Sequence, residues 1–307
     1  MRVIFWGSPQ FAAGPLEEIC KSSHEVAGVV CQPDRPSGRG RKLNPPPVKR
    51  AAERLGLAVL QPERPRGGQF LSDLRSLAPD ISVVVAYGHI LRPEIFTLPP
   101  YGSINLHASL LPAWRGAAPI QRALAAGDTA SGLTVIRMDE GMDSGEVLAV
   151  KRMAIGQSET SGELAARMSA AGGPLLVETL DRIERGEVRP VPQDHSLATF
   201  APKIDREEAR VDWSRPAREI ANSVRAFDPA PGAWTTRDSE PLKLFRPRLA
   251  DCTGEPGAVA QAPGGGLLVC CGQGALEFAE VQAQGKRRMP AADYLRGAPV
   301  AEGEKLE

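Results

Sequence analysis

The N-terminal segment, residues 3–31, reads VIFWGSPQFAAGPLEEICKSSHEVAGVVC. An apolar run over residues 3–6 ends at a Gly-Ser-Pro turn, residues 11–20 suit a helix, and residues 25–31 form a second apolar run. This order predicts a strand, a turn, a helix and a second strand. Four further strands are predicted over residues 57–60, 81–87, 103–107 and 132–138. Because residues 82–86 lack polar alternation, as in a strand covered on both faces, the fold class is predicted to be α/β with a doubly wound, mostly parallel, Rossmann-like sheet.

The length of the chain predicts two domains, because 307 residues are about twice the ~150 of a typical domain. We expect a sheet domain over residues 1–188, a linker over 189–206 and a second domain over 207–307. The linker prediction rests on a proline-rich stretch without periodicity. After a short helix over residues 217–226, brief alternating runs over 242–245, 267–271 and 275–281 favour a small β-barrel.

Two local features of the chain carry further expectations. A helix over residues 161–185 is predicted to cover the sheet, with a kink or an interruption at Gly172-Gly173-Pro174. The charged tail, residues 302–307, is expected to be disordered.

Composition and charge exclude several classes of protein. The chain has 37 basic and 37 acidic residues, so its formal net charge of zero argues against a purely electrostatic nucleic-acid binder, although a local basic patch stays open. No apolar run reaches the ~18 residues of a membrane span, and the first apolar run is too short for a signal peptide, so we expect a cytoplasmic protein without a membrane partner. The five cysteines form no C-x-x-C pair, which favours buried, reduced thiols and no metal site.

The usual cofactor and catalytic motifs are missing from the sequence. The loop after the first strand lacks the G-x-G-x-x-G pattern that brings a backbone close to a dinucleotide pyrophosphate. The signatures of a P-loop, a zincin and an α/β-hydrolase nucleophile are also absent. An NAD-linked oxidoreductase therefore becomes a disfavoured alternative.

Two segments carry polar residues that suit a reactive site. Residues 103–109 read SINLHAS, and in a strand Asn105 and His107 share one face about 7 Å apart, from the ~3.3 Å rise per residue. The segment runs into the apolar stretch LLPAWRGAAP, of the kind found where open α/β sheets bind ligands. Residues 139–145, DEGMDSG, follow another predicted strand. The residues alone leave two alternatives open: a buried Asn and His satisfied by backbone groups, and a solvated acidic turn.

Taken together, residues 102–120 and 138–145 resemble the folate-dependent formyltransferases. The resemblance implies a catalytic trio of Asn105, His107 and Asp143, with 10-formyltetrahydrofolate as the formyl-donor cosubstrate and no metal. It also implies two folate-binding segments. The first comprises Ser109, Leu110, Leu111 and Pro112, and the second, a pterin slot, comprises Gly88, Ile90 and Leu91.

Residues 32–43, QPDRPSGRGRKL, resemble the inserted loop with which some members of this family hold the acceptor end of a tRNA. Six basic residues and one acidic residue lie between Asp34 and Arg50, and contact with phosphates is a physical reason for that excess. The implied tRNA-binding residues are Arg39, Arg41 and Lys42, and the implied acceptor is methionyl initiator tRNA. The chain length agrees, since the tRNA-specific members carry an extra, OB-like domain that contacts tRNA. A flexible solvated loop stays an alternative, and a monomer is the default expectation.

The resemblance implies direct attack of an amine on the formyl carbon, without a covalent enzyme intermediate. Asn105 would hold the developing oxyanion, and His107 would donate to that oxygen or exchange the proton of the amine. Asp143, if it approaches the imidazole, would favour the protonated form of the ring and would orient a water molecule that relays protons. Three alternatives share the trio or the fold: a formyltransferase for a small molecule, a formyl-folate hydrolase, and a non-catalytic RNA-binding module.

Overall fold

The computed structural model describes residues 1–37, 42–262 and 264–307. The chain divides into two compact units. The first comprises Met1–Gly116, Ser131–Met153 and Ala165–Phe200, and the second comprises Ala117–Ala130, Ala154–Leu164 and Ala201–Glu307.

The first unit is built on a seven-stranded sheet in the order β10-β9-β7-β6-β1-β2-β5. Its strands are β1 (Arg2–Gly7), β2 (Glu25–Val30), β5 (Val59–Leu60), β6 (Ile81–Val85), β7 (Ser103–His107), β9 (Ala130–Arg137) and β10 (Val147–Ala154). Strands β5, β2, β1, β6 and β7 pair in parallel, and β9 pairs with β7 in the antiparallel direction. A short antiparallel hairpin, β3 (Arg35–Ser37) and β4 (Lys42–Asn44), follows β2, and β8 (Arg115–Gly116) follows β7. The prediction of a mostly parallel α/β sheet is confirmed.

The strand order places a switch point between β1 and β6. The chain moves outward from β1 through β2 to β5, and then returns to the other side of β1 with β6 and β7. Open α/β sheets bind ligands at the carboxyl ends of the strands beside such a switch. The loops after β1, β6 and β7 therefore surround the expected position of a ligand.

The helices of the chain lie between the strands in sequence, and the last of them follows the final strand. They are α1 (Gln10–Lys21), α2 (Pro47–Arg54), α3 (Gly68–Ser76), α4 (Pro93–Phe96), α5 (Pro119–Ala126), α6 (Ser161–Glu184), α7 (Ala217–Ala226) and α8 (Ala291–Gly297), with short 3-10 turns at His195–Leu197 and Glu207–Ala209. Helices α3 and α4 contribute to an apolar cluster around Trp6 and Tyr87 in the first unit. Trp6 donates its indole N–H to Ser82, so its polar atom is satisfied inside this cluster.

Helix α6 passes through Gly172-Gly173-Pro174 without a break, so the predicted interruption is wrong. A Cβ at Gly172 would lie 2.6 Å from Leu106 of β7, and one at Gly173 would lie 2.6 Å from Glu18 of α1. The two glycines thus allow the close approach of α6 to the sheet and to α1, which is a packing requirement rather than a helix break.

Strand β10 was not predicted from the sequence. Most of its residues are exposed or half-buried, because it lies at the edge of the sheet, and so it lacks the apolar pattern that marked the inner strands.

The second unit contains a six-stranded antiparallel sheet, in which five strands follow the order β12-β13-β16-β15-β14 and the sixth, β17, pairs with β16. Its strands are β12 (Trp234–Arg237), β13 (Glu240–Ala250), β14 (Val259–Ala260), β15 (Leu267–Cys270), β16 (Ala275–Ala283) and β17 (Met289–Pro290). A short strand, β11 (Phe200–Ala201), precedes them. This sheet confirms the prediction of a small, barrel-like β domain after the α/β domain.

Two further predictions for the C-terminal part are wrong. The tail is ordered, since Leu306 is buried and Glu307 exchanges backbone hydrogen bonds with Thr236. Cys252 and Cys270 form a disulfide, with Cα atoms 6.0 Å apart, because the fold brings the exit of β13 beside the end of β15, which the sequence spacing does not reveal. The cysteines at positions 20, 31 and 271 are free thiols.

None of the helices in the described ranges is long and apolar enough to cross a membrane.

Candidate active site

The side chains of Asn105 and His107 project from the same face of β7 and reach one carboxylate. Asn105 Nδ2 lies 3.3 Å from Asp143 Oδ1, and His107 Nδ1 lies 3.5 Å from Asp143 Oδ2. Ile104 and Leu106 occupy the opposite face and are buried, as the two-residue repeat of a strand requires. The structure thus brings together the three residues that the sequence analysis named as a trio, with both ring and amide on the Asp143 carboxylate.

The loop that carries Asp143 is tightly built. Its start is fixed by Asp139, which accepts hydrogen bonds from the backbone N–H of Gly141 and the hydroxyl of Ser144. At its end, a Cβ on Gly145 would lie 1.8 Å from the carbonyl oxygen of Arg137, so only glycine fits there. Asp143 itself has a φ of 49°, in the left-handed region that non-glycine residues seldom adopt. The acidic cluster is therefore a shaped loop and not only a solvated turn.

The imidazole of His107 faces an acceptor on each side. Its Nε2 lies 2.9 Å from the carbonyl oxygen of Trp114. Because a carbonyl oxygen can only accept, Nε2 carries a proton in this arrangement. Nδ1 faces the Asp143 carboxylate, so a proton bound to Nδ1 would lie beside the negative charge of Asp143. His107 is 6% exposed, which keeps this contact out of bulk water.

A second group of contacts, from residues outside β7, holds Asp143 and its loop. The backbone N–H of Gly116 donates to Asp143 Oδ2 at 2.8 Å. The side-chain amide of Gln193 donates to the carbonyl oxygens of Asp143 and Gly145, at 2.8 and 2.7 Å. Arg115, which is buried, donates in turn to Gln193 Oε1. The sequence analysis assigned no individual role to Arg115, Gly116 or Gln193, since no local pattern marks contacts that join such distant parts of the chain.

The segment after β7 that was assigned to folate lies beside the trio. Ser109 is buried and donates its hydroxyl to the carbonyl oxygen of Ala113, while Leu110, Leu111 and Pro112 are half-buried. Thr134 of β9 fixes the segment, because its hydroxyl donates to Ser109 O and accepts from the N–H of Leu111. The apolar side chains of residues 110–112 thus stand partly open at the carboxyl end of β7.

The three residues predicted for a pterin slot occupy different environments. Gly88 has a φ of 87°, which favours glycine at the turn after β6. Ile90 is 91% exposed, whereas Leu91 is buried in the apolar cluster around Trp6. Gln32 supports the turn by donating to the carbonyl oxygen of Tyr87 and bonding the ring of His89.

The two ends of the basic segment that follows β2 are held by hydrogen bonds within the protein. Asp34 accepts hydrogen bonds from the Lys49 ammonium at 2.8 and 3.0 Å and from the Gln61 amide at 2.8 Å. The bond from Gln61, followed by that from Lys49, lowers the pKa of the Asp34 carboxyl below its ordinary value. Arg50 donates to Asn44 and to the carbonyl oxygen of Pro45. Arg39 and Arg41 lie outside the described residues, and the backbone of Lys42 belongs to β4.

One group of three potential metal ligands occurs among the residues that the structure describes. His24, Asp181 and Glu184 place their ligand atoms within 4.8 Å of one another. The α-amino group of Met1 contacts His24 Nδ1 at 3.2 Å and Glu184 at 3.1 Å, so a cation already faces this group. None of these residues contributes to the site around Asp143.

Comparison with known proteins identifies the family of the chain. A family profile described as "Formyl transferase" matches residues 1–180, and one described as "Formyl transferase, C-terminal domain" matches residues 203–299. The chain belongs to the formyl transferase family.

Within this family, the full-length relatives carry one specific name. The chain is 47% identical over 305 residues to a methionyl-tRNA formyltransferase of Magnetococcus marinus, covering 99% of this chain and 98% of the relative. It is 45% identical over 307 residues to a methionyl-tRNA formyltransferase of Chromobacterium violaceum, covering 100% of this chain and 99% of the relative.

A solved structure shares the fold at lower identity. HypX from Aquifex aeolicus superposes with a TM-score of 0.69 and 20% identity, over 98% of this chain and 48% of HypX. A further structure of HypX is a complex with tetrahydrofolic acid, and it superposes with a TM-score of 0.66 and 18% identity, over 96% of this chain and 47% of HypX.

Proposed function

We propose that this enzyme transfers the formyl group of 10-formyltetrahydrofolate to the α-amino group of methionine esterified to initiator tRNA, for the initiation of translation. One observation carries the proposal: a chain that aligns along its whole length with methionyl-tRNA formyltransferases gathers Asn105, His107 and Asp143 at the carboxyl end of its sheet.

The reaction needs groups that stabilise the charges that develop on the formyl oxygen and on the amine nitrogen. When bound, the folate cosubstrate supplies a formyl group on a nitrogen that can leave. As the amine nitrogen bonds to the formyl carbon, negative charge develops on the formyl oxygen and positive charge on the amine nitrogen. The protein must therefore offer a hydrogen-bond donor to the oxygen and a route for one proton from the amine to the leaving nitrogen.

Asn105 is our candidate for the donor. Its Nδ2 has two hydrogens, and one is directed at Asp143 Oδ1. The second is available for the oxygen of a formyl group, and the contact with Asp143 holds the amide in place. A preorganised donor of this kind acts without reorganisation during the reaction.

His107 and Asp143 are our candidates for the proton route. An imidazole ring has two nitrogens that can each give or receive a proton, and Asp143 faces Nδ1 of His107 at 3.5 Å. The amine loses one proton and the leaving nitrogen gains one, so the site ends the reaction in its starting protonation state. The trio contains no serine or cysteine, and we infer direct transfer without a formyl-enzyme intermediate.

The residues after β7 and β6 suit a folate. A pterin is flat and apolar on its faces, with polar atoms at its edge, and it binds best between apolar walls with a few backbone partners. Leu110, Leu111 and Pro112 offer such a wall beside the trio, with Ser109 fixing its start. We retain Gly88, Ile90 and Leu91 as candidates for the slot, with Leu91 acting from the apolar cluster beneath it.

For the tRNA, we propose that Arg39, Arg41 and Lys42 supply the phosphate contacts. Asp34 neutralises Lys49, and Arg35 and Arg50 donate to groups of the protein, so these three support the base of the segment. Gly38 and Gly40 allow close backbone approach. We further propose that residues 207–307 form a tRNA-contacting OB-like domain after a linker over 189–206, and that the enzyme is cytoplasmic, monomeric and without a membrane partner.

The test is a formyl-transfer assay with 10-formyltetrahydrofolate and methionyl initiator tRNA, with free methionine as the control acceptor. We expect formylation of the charged tRNA only, and a loss of about 10²-fold or more in kcat for His107→Ala, the usual size for an acid-base group. Release of formate without transfer would indicate a hydrolase. Binding of tRNA by both proteins without any transfer would indicate a non-catalytic RNA-binding module.

A further inference from the structure

Gln193 is a buried residue in a segment that is otherwise mostly exposed. Only 7% of its surface is accessible, whereas its neighbours Pro192 and Asp194 are exposed. It lies inside the stretch that the sequence analysis assigned to a linker. A polar side chain buried at such a position requires a set of partners that repays its desolvation.

Every polar group of the Gln193 side chain has a partner. Nε2 donates one hydrogen to the carbonyl oxygen of Asp143 and the other to that of Gly145, at 2.8 and 2.7 Å. Oε1 accepts from Nε and Nη2 of Arg115, at 3.2 and 2.6 Å. Because a guanidinium can only donate and a carbonyl can only accept, these partners fix which end of the amide faces which side.

The two carbonyl groups belong to the turn of backbone that aims the catalytic carboxylate. Asp143 adopts a left-handed φ of 49°, a conformation that costs free energy and persists only where surrounding contacts hold it. Gln193 bridges the carbonyl groups on both sides of Ser144 and so fixes the peptide planes that set the direction of the Asp143 side chain. The N–H of Gly116 then holds the carboxylate itself.

Arg115 completes the support. It is 6% exposed, and beyond Gln193 its Nη2 contacts His195 Nδ1 at 2.9 Å. Since Arg115 and Gly116 are neighbours in β8, the same strand that orients Gln193 also donates to the carboxylate. Arg115, Gly116, Gln193 and His195 thus form one connected set of contacts that reaches Asp143.

We propose that Gln193 is a positioning residue for the formyl-transfer reaction, which acts through Asp143 and does not touch either substrate. The inference rests on the proposed function, because it assigns Gln193 to the chemistry of that site. A displacement of about 1 Å in a reacting group costs about 10²-fold in rate. Loss of the Gln193 amide therefore lowers kcat and leaves the KM for folate and for tRNA within about threefold.

The decisive variant is Gln193→Glu. A carboxylate keeps an acceptor for Arg115, so the buried guanidinium stays paired, but it has no hydrogen for the carbonyl groups of Asp143 and Gly145. We expect a folded protein with kcat lowered about 10²-fold. Gln69→Glu is the matched control, because it makes the same change at an exposed position of α3, where the Gln69 amide donates to the side chain of Asp73.

A double-mutant cycle separates positioning from a general structural role. In an Asp143→Asn background, Gln193→Glu should lower kcat by less than about threefold, because the carboxylate that Gln193 positions is already gone. Independent effects would multiply, and that result would overturn the proposal, as would an unchanged kcat in the single variant.

Hydrogen exchange of the backbone provides a readout that does not depend on the reaction. In Gln193→Glu, the amides of residues 143–146 should exchange faster than in the wild type, while those of β7 stay protected. Equal protection in both proteins would overturn the proposal. Wild type that fails to formylate methionyl-tRNA, together with faster exchange in the variant, would instead refute the proposed function and retain the role of Gln193 in the loop.

Discussion

Asn105 is the residue for which the structure gives the sharpest kinetic expectation. Its Nδ2 donates one hydrogen to Asp143 Oδ1, and in the proposed mechanism the second hydrogen is donated to the oxyanion. We predict that Asn105→Ala lowers kcat by about 10²–10³-fold with little change in the KM for either substrate, as expected for a lost oxyanion donor. Steady-state kinetics with methionyl-tRNA and formyl-folate provides the measurement. An increase in KM at constant kcat would show that Asn105 binds the ground state instead.

For single residues, the sequence was informative only where residues close together in the chain also lie close together in the site. Asn105 and His107 lie two residues apart on one strand, so their common face was predictable, and the family pattern supplied Asp143. Gln193 was not predictable, because its role depends on carbonyl groups far away in the sequence and not on its neighbours. Buried polar contacts between distant segments leave no periodic signal.

Among the elements, helix α6 shows helix propensity and packing with opposite effects at one position, Gly172. Alanine is favoured over glycine in a helix by about 1 kcal/mol, but a Cβ at Gly172 would lie 2.6 Å from Leu106. Overpacking costs about 1–3 kcal/mol. We therefore predict that Gly172→Ala lowers the free energy of unfolding in urea. Gly68→Ala at the start of α3, where nothing lies within 4 Å, is the control, and it should be neutral or stabilising.

The start of α6 gives a prediction on pH. Glu163 accepts from the Thr160 N–H, and a hydrogen bond from Arg246, followed by that from Thr160, lowers the pKa of its carboxyl to about 2. The folded state therefore binds a proton less readily than the unfolded state, so this contribution is present above about pH 4.5 and disappears as the pH falls toward 2.

We predict that Glu163→Gln destabilises the protein by about 1 kcal/mol at pH 7, the usual size of a helix cap. The difference between the two proteins should shrink as the pH falls from about 4.5 toward 2, because the unfolded wild type takes up a proton at this carboxyl that the folded wild type does not. Urea unfolding at several pH values provides the test, and a difference that is constant with pH would contradict it.

The elements also show which parts of a fold a sequence reveals. The inner strands β1, β6 and β7 were predictable because they are buried on both faces. Strand β10 was not, because exposure at the sheet edge removes the apolar repeat. Gly172 and Gly173 were taken to indicate a kink or an interruption of the helix. Glycine is found both at helix breaks and where two elements pack closely, and the sequence alone does not distinguish the two.

At the scale of the whole molecule, the balance of charge makes the tRNA interaction a local one. The net charge is zero, so the proposed phosphate contacts rest on a local excess of basic residues in the segment after β2. We predict that the affinity for tRNA falls as salt is raised, and that Arg39→Gln lowers the slope of log Kd against log salt by about 1, the value for one phosphate contact.

Filter binding between about 50 and 200 mM salt measures this slope. Arg54→Gln is the matched control, because Arg54 lies on α2 and pairs with Glu17. Equal slopes for Arg39→Gln and the wild type would remove Arg39 from the RNA contacts and favour a solvated loop.

The position of Gln193 has a consequence for anyone who wishes to dissect or recombine this enzyme. A fragment that stops at residue 188 would keep Asn105, His107 and Asp143 and lose the Gln193 amide that supports the loop of Asp143, so inactivity of that fragment would say nothing about the need for the C-terminal domain. The first unit runs to Phe200. A chimaera joined after that residue keeps Gln193 together with the trio, so it tests the contribution of the C-terminal residues to the choice of acceptor without removing the support of Asp143.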